Sequence, residues 1–325
     1  MRKSLPNGNE TGRQTKQRQR RNIGIEFEDT IIMSLPKKIM KSCLAAYGYE
    51  VKPLKRRAQP KARDLLLDDP REAFIEPNHR YPYSFKANLD LVVDHQAFGF
   101  GTAGWHPFIA ALKETQGDCE RLQAAMAAFY NTFKPTNAKE AIIGFKNAPK
   151  VFGRLPPHAF YLTPWSNKTP EDVTKFVETW VALDNTEHGV EMTLAEGGFQ
   201  SYGPVSEKKL RLETKRLSRT YLSLRSKGYD RALGECKFLV VRLGHDIRLI
   251  AHGGGYHRTA CAAALSLSYV PGDFHPARLI LDVDDVDLWP NVRSGLWSRK
   301  QAVSYVEHLF YFDGGKWARS AGLHR

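Results

Sequence analysis

Residues 250–274 read IAHGGGYHRTACAAALSLSYVPGDF, and this stretch decides how the rest of the chain is interpreted. An apolar strand ends in Gly253, Gly254 and Gly255, and an alanine-rich helix follows. Glycine accepts positive φ and has no Cβ, so this turn can bring several main-chain N–H groups close to an anion. The helix directs its unpaired N–H groups and the positive end of its dipole at the same place. The stretch therefore predicts a phosphate-binding turn.

His257 and Arg258 fall in the first turn of that helix. An imidazole and a guanidinium in these positions can both reach an oxyanion held by the backbone. Small residues follow over 259–264, so the helix can pack closely on a sheet. The alternative is a tight connection whose histidine and arginine only cap and solvate it. A glycine run alone does not separate the two interpretations.

The order helix, strand, strand, glycine turn, helix, Val-Pro, strand resembles the ParB/sulfiredoxin superfamily over residues 203–283. The centre of the resemblance, residues 254–258, reads Gly-Gly-Tyr-His-Arg. It is similar to the Gly-Gly-Cys-His-Arg of sulfiredoxins, the Gly-Glu-Arg-Arg of ParB proteins and the Asp-Gly-His-His-Arg of ParB-like kinases. Members of these branches bind a nucleotide at this turn. The resemblance implies that a nucleoside di- or triphosphate is bound here and that Gly255, His257 and Arg258 take the phosphate-contacting positions. The predicted nucleotide-binding residues of the whole turn are Gly253, Gly254, Gly255, Tyr256, His257 and Arg258.

The chain departs from these families at two positions of the turn. Tyr256 stands where sulfiredoxins have their reactive cysteine, so the resemblance does not imply sulfinic acid reduction. Gly254 stands where the kinase version has its acidic residue, which removes a metal contact from this position. Cys261 lies one turn into the helix and is predicted to be a small core residue, because free cysteine is often buried.

The resemblance implies a nucleotide-dependent phosphotransferase that acts on a small hydroxylated metabolite or a sugar, with Arg258 countering the charge that develops during transfer. Kinases of this superfamily use an acidic residue upstream of the turn, and the candidates here are Glu207 and Glu213. Asp282 and Asp284, at a predicted strand end, would offer two carboxylates to Mg²⁺. The alternative for this acidic pair is a solvated turn.

Two other functions remain open. A ParB-type DNA-binding protein or nucleotide switch would place basic residues on nucleic acid, although no helix-turn-helix segment follows the turn. A non-catalytic accessory protein of polysaccharide biosynthesis is the other, because residues 289–298 resemble the tail of ParB-like proteins found among bacterial surface-polysaccharide genes.

The net charge of +13 is unevenly distributed. Residues 1–22 carry seven Lys/Arg and one Glu and almost nothing to bury, so this basic tail is predicted to be disordered. A predicted helix between Ser206 and Gly228 is also strongly basic. Its basic face could bind a polyanion or a phosphorylated substrate. The alternative is a solvated outer face. Its basic residues are Lys208, Lys209, Arg211, Lys215, Arg216, Arg219, Arg225 and Lys227.

Length and composition set the remaining bounds. The chain has 325 residues, 42% of them hydrophobic, which is enough for a substantial core and for two domains or one large one. It has no run of eighteen apolar residues and no apolar segment of the signal-peptide kind at its start, so we expect a cytoplasmic protein without a membrane partner. Its four cysteines show no C-x-x-C spacing, which favours a reducing compartment and no structural zinc.

We expect an α+β protein in which a C-terminal ParB/sulfiredoxin-like mixed-sheet unit, residues 201–325, joins an N-terminal α/β region, residues 23–200. Strands are predicted over residues 23–32, 85–93, 238–243, 247–251 and 278–283. Helix starts are predicted at residues 104–107 and at the caps Asp118, Thr169, Ser206 and Ser298.

Overall fold

The computed structural model describes residues 66–74, 84–274 and 280–323, and these residues contain a mixed sheet of seven strands. The predicted basic tail and the predicted strand over 23–32 lie outside the described residues. The strands are β1 (Leu66–Leu67), β2 (Ser84–Asn88), β3 (Val92–Val93), β4 (Cys236–Leu243), β5 (Asp246–Ala251), β6 (Tyr269–Phe274) and β7 (Ile280–Asp282). Their order is β1-β2-β6-β4-β5-β3, and β7 pairs with β4.

Strand β4 is the centre of this sheet. It pairs antiparallel with β5 and parallel with both β6 and β7, which bind successive segments of it, Cys236–Phe238 and Val240–Arg242. Its sequence CKFLVVRL is a nearly continuous apolar run, as expected of a strand covered on both faces, and Val240 and Val241 are fully buried. Gly244 and His245 join β4 to β5 in an antiparallel hairpin, and the strands predicted over 238–243 and 247–251 are confirmed.

Ten helices accompany the sheet among the described residues. They are α1 (Pro107–Thr115), α2 (Cys119–Thr132), α3 (Ala138–Ala141), α4 (Pro170–Glu187), α5 (Leu194–Gly197), α6 (Glu207–Lys227), α7 (Tyr256–Ala264), α8 (Pro290–Arg293), α9 (Arg299–Tyr311) and α10 (Gly314–Ser320). None of them combines the length and the apolar composition that crossing a lipid bilayer requires.

The helix starts predicted at Asp118, Thr169, Ser206 and Ser298 are confirmed, and each is formed by a local hydrogen bond. The side chains of Asp118, Thr169, Ser206 and Ser298 accept from main-chain N–H groups in the first turns of α2, α4, α6 and α9. Those of Thr169 and Ser298 belong to reciprocal capping boxes. Gly228, with a φ of 75°, ends α6 as predicted.

The strand predicted over 85–93 is divided into β2 and β3 by a 3-10 turn, Leu89–Leu91. Asn88 accepts a hydrogen bond from the N–H of Asp90 at 3.0 Å and so starts this turn. β2 and β3 are four steps apart in the strand order, about 19 Å in a flat sheet. The link from Asn88 to Val92 can span at most about 14 Å. The sheet must therefore curl to bring the two strands together.

The boundary predicted near residue 200 does not separate two folded units. Strands β2 and β3 precede it, yet they pair with β6 and β5, which follow it. The described residues all belong to one compact unit, with one continuous hydrophobic core. Backbone pairing across the boundary is the physical reason, and composition along the chain does not reveal it.

Helix α7 packs against α1, α6 and the sheet strands β4 and β6. Ala260, Cys261 and Ala262 are fully buried in this contact, as expected for small side chains that allow close approach. The Sγ of Cys261 lies 3.6 Å from the carbonyl oxygen of Leu217, and burial raises the pKa of its thiol. The prediction that Cys261 is a core residue is confirmed.

Candidate functional site

The glycine turn between β5 and α7 has a backbone that side chains would disturb. Gly253 and Gly255 have φ values of 82° and 92°, in the left-handed region. A Cβ added at Gly255 would lie 2.7 Å from the Sγ and 2.8 Å from the Cα of Cys236, so only glycine allows this approach to β4. At Gly254 the nearest atom to an added Cβ is the Cγ of Lys237 at 4.0 Å, and this residue is exposed.

The main-chain N–H groups from Gly253 to Arg258 donate no hydrogen bond to an acceptor in the described part of the protein. The carbonyl groups of the same turn are engaged. Gly254 accepts from the N–H of Lys237 at 2.9 Å, and Gly255 accepts from the N–H of Thr259 at 2.9 Å. The turn is therefore held in place through its acceptors, while its donors, at the positive end of the α7 dipole, stay open for an anion.

Tyr256 points into the protein. Its hydroxyl donates to Asp94 Oδ2 at 2.8 Å, and the Nε2 of His106 lies 2.8 Å from the same hydroxyl. The Nδ1 of His106 accepts from the N–H of Phe108 at 3.1 Å, so Nε2 carries the hydrogen and donates to Tyr256. Tyr256 is one of the predicted nucleotide-binding residues, but its side chain instead anchors the turn to residues 94–108. Only its main-chain amide is left for a ligand.

The carboxyl group that receives the tyrosine hydrogen bond is buried. Asp94 is 5% exposed, and its Oδ1 accepts from the N–H groups of Gln96 and Phe98 at 2.9 Å each. Burial raises the pKa of Asp94 to about 6, although these hydrogen bonds oppose the shift. Burial also lowers the pKa of His106 to about 3, so this imidazole stays neutral.

His257 forms a dyad with Glu213. Its Nε2 lies 3.0 Å from Glu213 Oε2, and the side chains are 17% and 3% exposed. Burial by itself would raise the pKa of Glu213, but the hydrogen bond from His257 and the positive charges of His257, Lys209 and Arg216 hold this pKa well below its usual range. Because an ionised carboxylate only accepts, His257 Nε2 carries the hydrogen, and in the neutral form of the ring Nδ1 has the lone pair. Nδ1 has no hydrogen-bond partner among the described residues.

Arg258 turns away from the glycines. Its Nη1 donates to the hydroxyl of Tyr229 at 3.2 Å and, through a short contact, to the carbonyl oxygen of Gly234. Its guanidinium also lies over the ring of Tyr229, 5.6 Å from the centroid. The arginine predicted to contact phosphate thus ties the start of α7 to the loop before β4.

The two predicted acids differ in their positions. Glu213 lies beside the turn through His257, whereas Glu207 is exposed in the first turn of α6 and forms a short ion pair with Arg211. The described contacts do not bring Glu207 to residues 253–258. Glu213 is thus the predicted acid that the fold places at the turn.

The two carboxylates predicted to bind Mg²⁺, Asp282 and Asp284, differ in burial and in their contacts. Asp282 is 8% exposed, forms a short ion pair with Arg242, and accepts from the N–H of Asp284 at 3.0 Å as the cap of the 3-10 helix Val283–Leu288. Asp284 is exposed. In the described part of the chain, no group of three or more His, Cys, Asp or Glu side chains is placed to hold a metal ion.

Several polar residues near the turn were not predicted from the sequence as site residues. Asp94 and His106 contact Tyr256 from more than 140 residues away in the chain. His95 Nε2 lies 2.9 Å from Nδ1 of His252, the residue just before the glycines. His95 is 3% exposed, and burial lowers its pKa well below the usual value. The sequence signal that could have identified these residues is a pair of polar residues directly after an apolar strand, as in Asp94-His95.

The fold thus gathers open main-chain amides, an imidazole whose Nδ1 has no partner among the described residues, and a buried carboxylate around the start of α7. Comparison with protein-family models, with curated proteins and with solved structures found no match for this chain.

Proposed function

We propose that residues 253–258 bind the phosphate groups of a nucleoside di- or triphosphate, and that the protein is a phosphotransferase acting on a small hydroxylated metabolite or a sugar. The observation that carries the proposal is the run of amides from Gly253 to Arg258, which have no acceptor in the described part of the protein and lie in an exposed turn at the start of α7. Phosphate oxygens accept such hydrogen bonds, and the helix dipole favours their charge. The order α6, β4, β5, turn, α7 and β6 is also the order on which the resemblance to the ParB/sulfiredoxin superfamily rests.

His257 is the residue we assign to proton transfer. In phosphoryl transfer the acceptor hydroxyl loses its proton as its oxygen bonds to phosphorus. A bound nucleotide would supply the phosphoryl group, and it would leave with one phosphate fewer as the bond between its terminal phosphorus and the bridging oxygen breaks. In its neutral form, His257 has a lone pair on Nδ1 that can take that proton. Glu213, 3.0 Å from Nε2, would hold the ring in this tautomer and stabilise the imidazolium that forms. Glu213 is therefore a positioning residue in this proposal, because its own carboxylate is already bonded to His257, Lys209 and Arg216.

The residues of this site are suited to phosphate and not to a metal ion. Phosphate fits the open amides. The described residues offer Mg²⁺ no such set of ligands, since Asp282 is engaged with Arg242 and with the cap of the next helix. We therefore assign the chemistry of this site to the amides and to His257.

One observation favours a different function, a ParB-type DNA-binding protein or nucleotide switch. Helix α6 exposes a row of basic residues that could contact a phosphate backbone.

Another observation favours a non-catalytic accessory protein. The Nη1 of Arg258 is committed to Tyr229 and Gly234, so this donor does not stabilise a transition state.

Calorimetric titration of the purified protein with ATP, ADP and CTP, with and without magnesium, tests the proposal. Gly254→Glu should weaken nucleotide binding about tenfold or more, because a carboxylate would face the phosphates while its Cβ has space. Gly153→Glu is the matched control, since this exposed glycine also has open space around it. Absence of nucleotide binding, or equal affinity in the two variants, would remove the assigned role of the turn.

A second experiment separates the enzyme from its alternatives. Nucleotide turnover with hydroxylated acceptors should be lost in His257→Ala while nucleotide affinity persists. Binding without any turnover would favour the accessory protein, and salt-sensitive binding of duplex DNA would favour the DNA-binding alternative.

A further inference from the structure

A groove runs along α6 on a side separate from the glycine turn. It has a volume of about 540 Å³ and lies between α6 and the residues that follow α4. Its lining residues are His188, Gly189, Val190, Glu207, Lys208, Arg211, Leu212, Lys215, Arg216 and Arg219. None of residues 253–258 takes part in it.

Four exposed basic residues form a row in this groove: Lys208, Arg211, Lys215 and Arg219. Their spacings of three, four and four residues put them on one face of the helix, where neighbouring side chains are about 5–6 Å apart. The row extends over about 16 Å at 1.5 Å per residue. The groove therefore presents a line of positive charges that is longer than one phosphate group.

Much of this charge is uncompensated. Lys215 and Arg219 form no ion pair within the described part of the chain, and Lys208 Nζ donates to a neutral acceptor, the carbonyl oxygen of Glu191, at 3.0 Å. Glu207 pairs with Arg211, but both are about two-thirds exposed, so water screens that pair.

Arg216 lines the groove and is held in one position by its contacts. Its Nη1 and Nη2 donate to the two carboxylate oxygens of Asp184 at 2.7 and 3.1 Å, and its side chain is 19% exposed. Nη1 also lies 3.2 Å from Glu213 Oε1, inside the network that holds His257. A bidentate pair of this kind keeps the guanidinium in one place.

We propose that this groove binds a small polyanion that carries two or more phosphate groups and no aromatic base. The volume is that of a small-molecule site, which typically measures about 300–1,000 Å³. Proteins that bind single-stranded nucleic acid stack bases on aromatic side chains, and none of the described residues that line the groove is Phe, Tyr or Trp. Its apolar side chains are those of Val190 and Leu212. Charge is thus the main feature that this groove offers a ligand.

The test measures binding of inorganic tripolyphosphate by calorimetry at low and moderate salt. The protein carries Gly254→Glu, which weakens binding at the glycine turn, and all affinities are compared on this background. Adding Lys215→Gln and Arg219→Gln should weaken binding about tenfold or more, because each change removes a charge-assisted hydrogen bond to phosphate. Both residues are exposed and neither contacts Glu213, so the fold and the dyad should be unchanged.

The matched control is Lys175→Gln with Lys227→Gln, which removes the same charge from exposed positions outside the groove. It should keep the original affinity within about twofold. Equal losses in the two double variants would mean non-specific attraction, and absence of binding would also overturn the proposal. So would displacement of tripolyphosphate by a single-stranded oligonucleotide that binds more tightly through Lys215 and Arg219. None of these outcomes depends on nucleotide binding at residues 253–258.

Discussion

Lys209 and Glu213 lie one turn apart on α6 and form an ion pair with an Nζ–Oε1 distance of 2.7 Å, in which the side chains are 0% and 3% exposed. Lys209 Nζ also donates to Asn185 Oδ1 at 2.7 Å, and Glu213 Oε2 receives the hydrogen of His257. Buried charges of this kind are stable only when each has partners. The pair therefore keeps Glu213 ionised and sets the orientation of the histidine at the start of α7.

Lys209→Met should destabilise the protein by about 3–5 kcal/mol, because Glu213 would lose the partner that shares its buried site. Combining it with Glu213→Gln should restore part of this loss, since no uncompensated buried charge would remain. A double-mutant cycle by urea denaturation measures the coupling. Purely additive effects of the two changes would show that the ion pair does not act as a unit.

Gly255→Ala should destabilise the protein by about 2–4 kcal/mol, because the residue has a φ of 92° and its Cβ would collide with Cys236. Gly254→Ala should change stability by less than about 1 kcal/mol, since its Cβ has space. Chemical denaturation of the two variants compares them. Equal stability would mean that the approach of the turn to β4 is not as close as described.

Tyr256→Phe should cost about 1–3 kcal/mol, because it leaves Asp94 and His106 without their shared partner in a buried site. Tyr311→Phe removes a hydroxyl from a tyrosine that is 69% exposed and is the matched control, with an expected change below about 0.5 kcal/mol. Denaturation at one pH measures both. A stable Tyr256→Phe variant would contradict the role of this hydroxyl as an anchor.

Stability should depend on pH through Asp94. The pKa of its carboxyl is about 6 in the folded protein against an ordinary value of 3.8, so the folded state holds more protons between these two values. The free energy of unfolding therefore falls as pH rises from about 4 to about 6, by an amount on the order of 3 kcal/mol.

The comparison that isolates this carboxyl is wild type against Asp94→Asn, with unfolding measured by urea at several pH values from 4 to 7. The advantage of the wild type over the variant should shrink across this range and stay constant above it. A constant difference at every pH would show that Asp94 does not titrate in this range.

Features that depend on neighbouring residues could be predicted from the sequence. The starts of α2, α4, α6 and α9 follow from one capping side chain each, and the hairpin of β4 and β5 follows from two apolar runs and a short link. The glycine turn before α7 belongs to the same class, because positive φ and an uncapped helix start are local properties.

Tertiary structure alone determined where the polar side chains point. Tyr256 is turned inward by Asp94 and His106, which lie 162 and 150 residues away, and Arg258 is drawn to the loop at Gly234. Lys209 belongs to a helix whose charge pattern indicates a solvated face, yet it is buried because Asn185 and Glu213 satisfy it. Capping and turn formation involve a few consecutive residues, whereas these contacts exist only after distant segments have packed together.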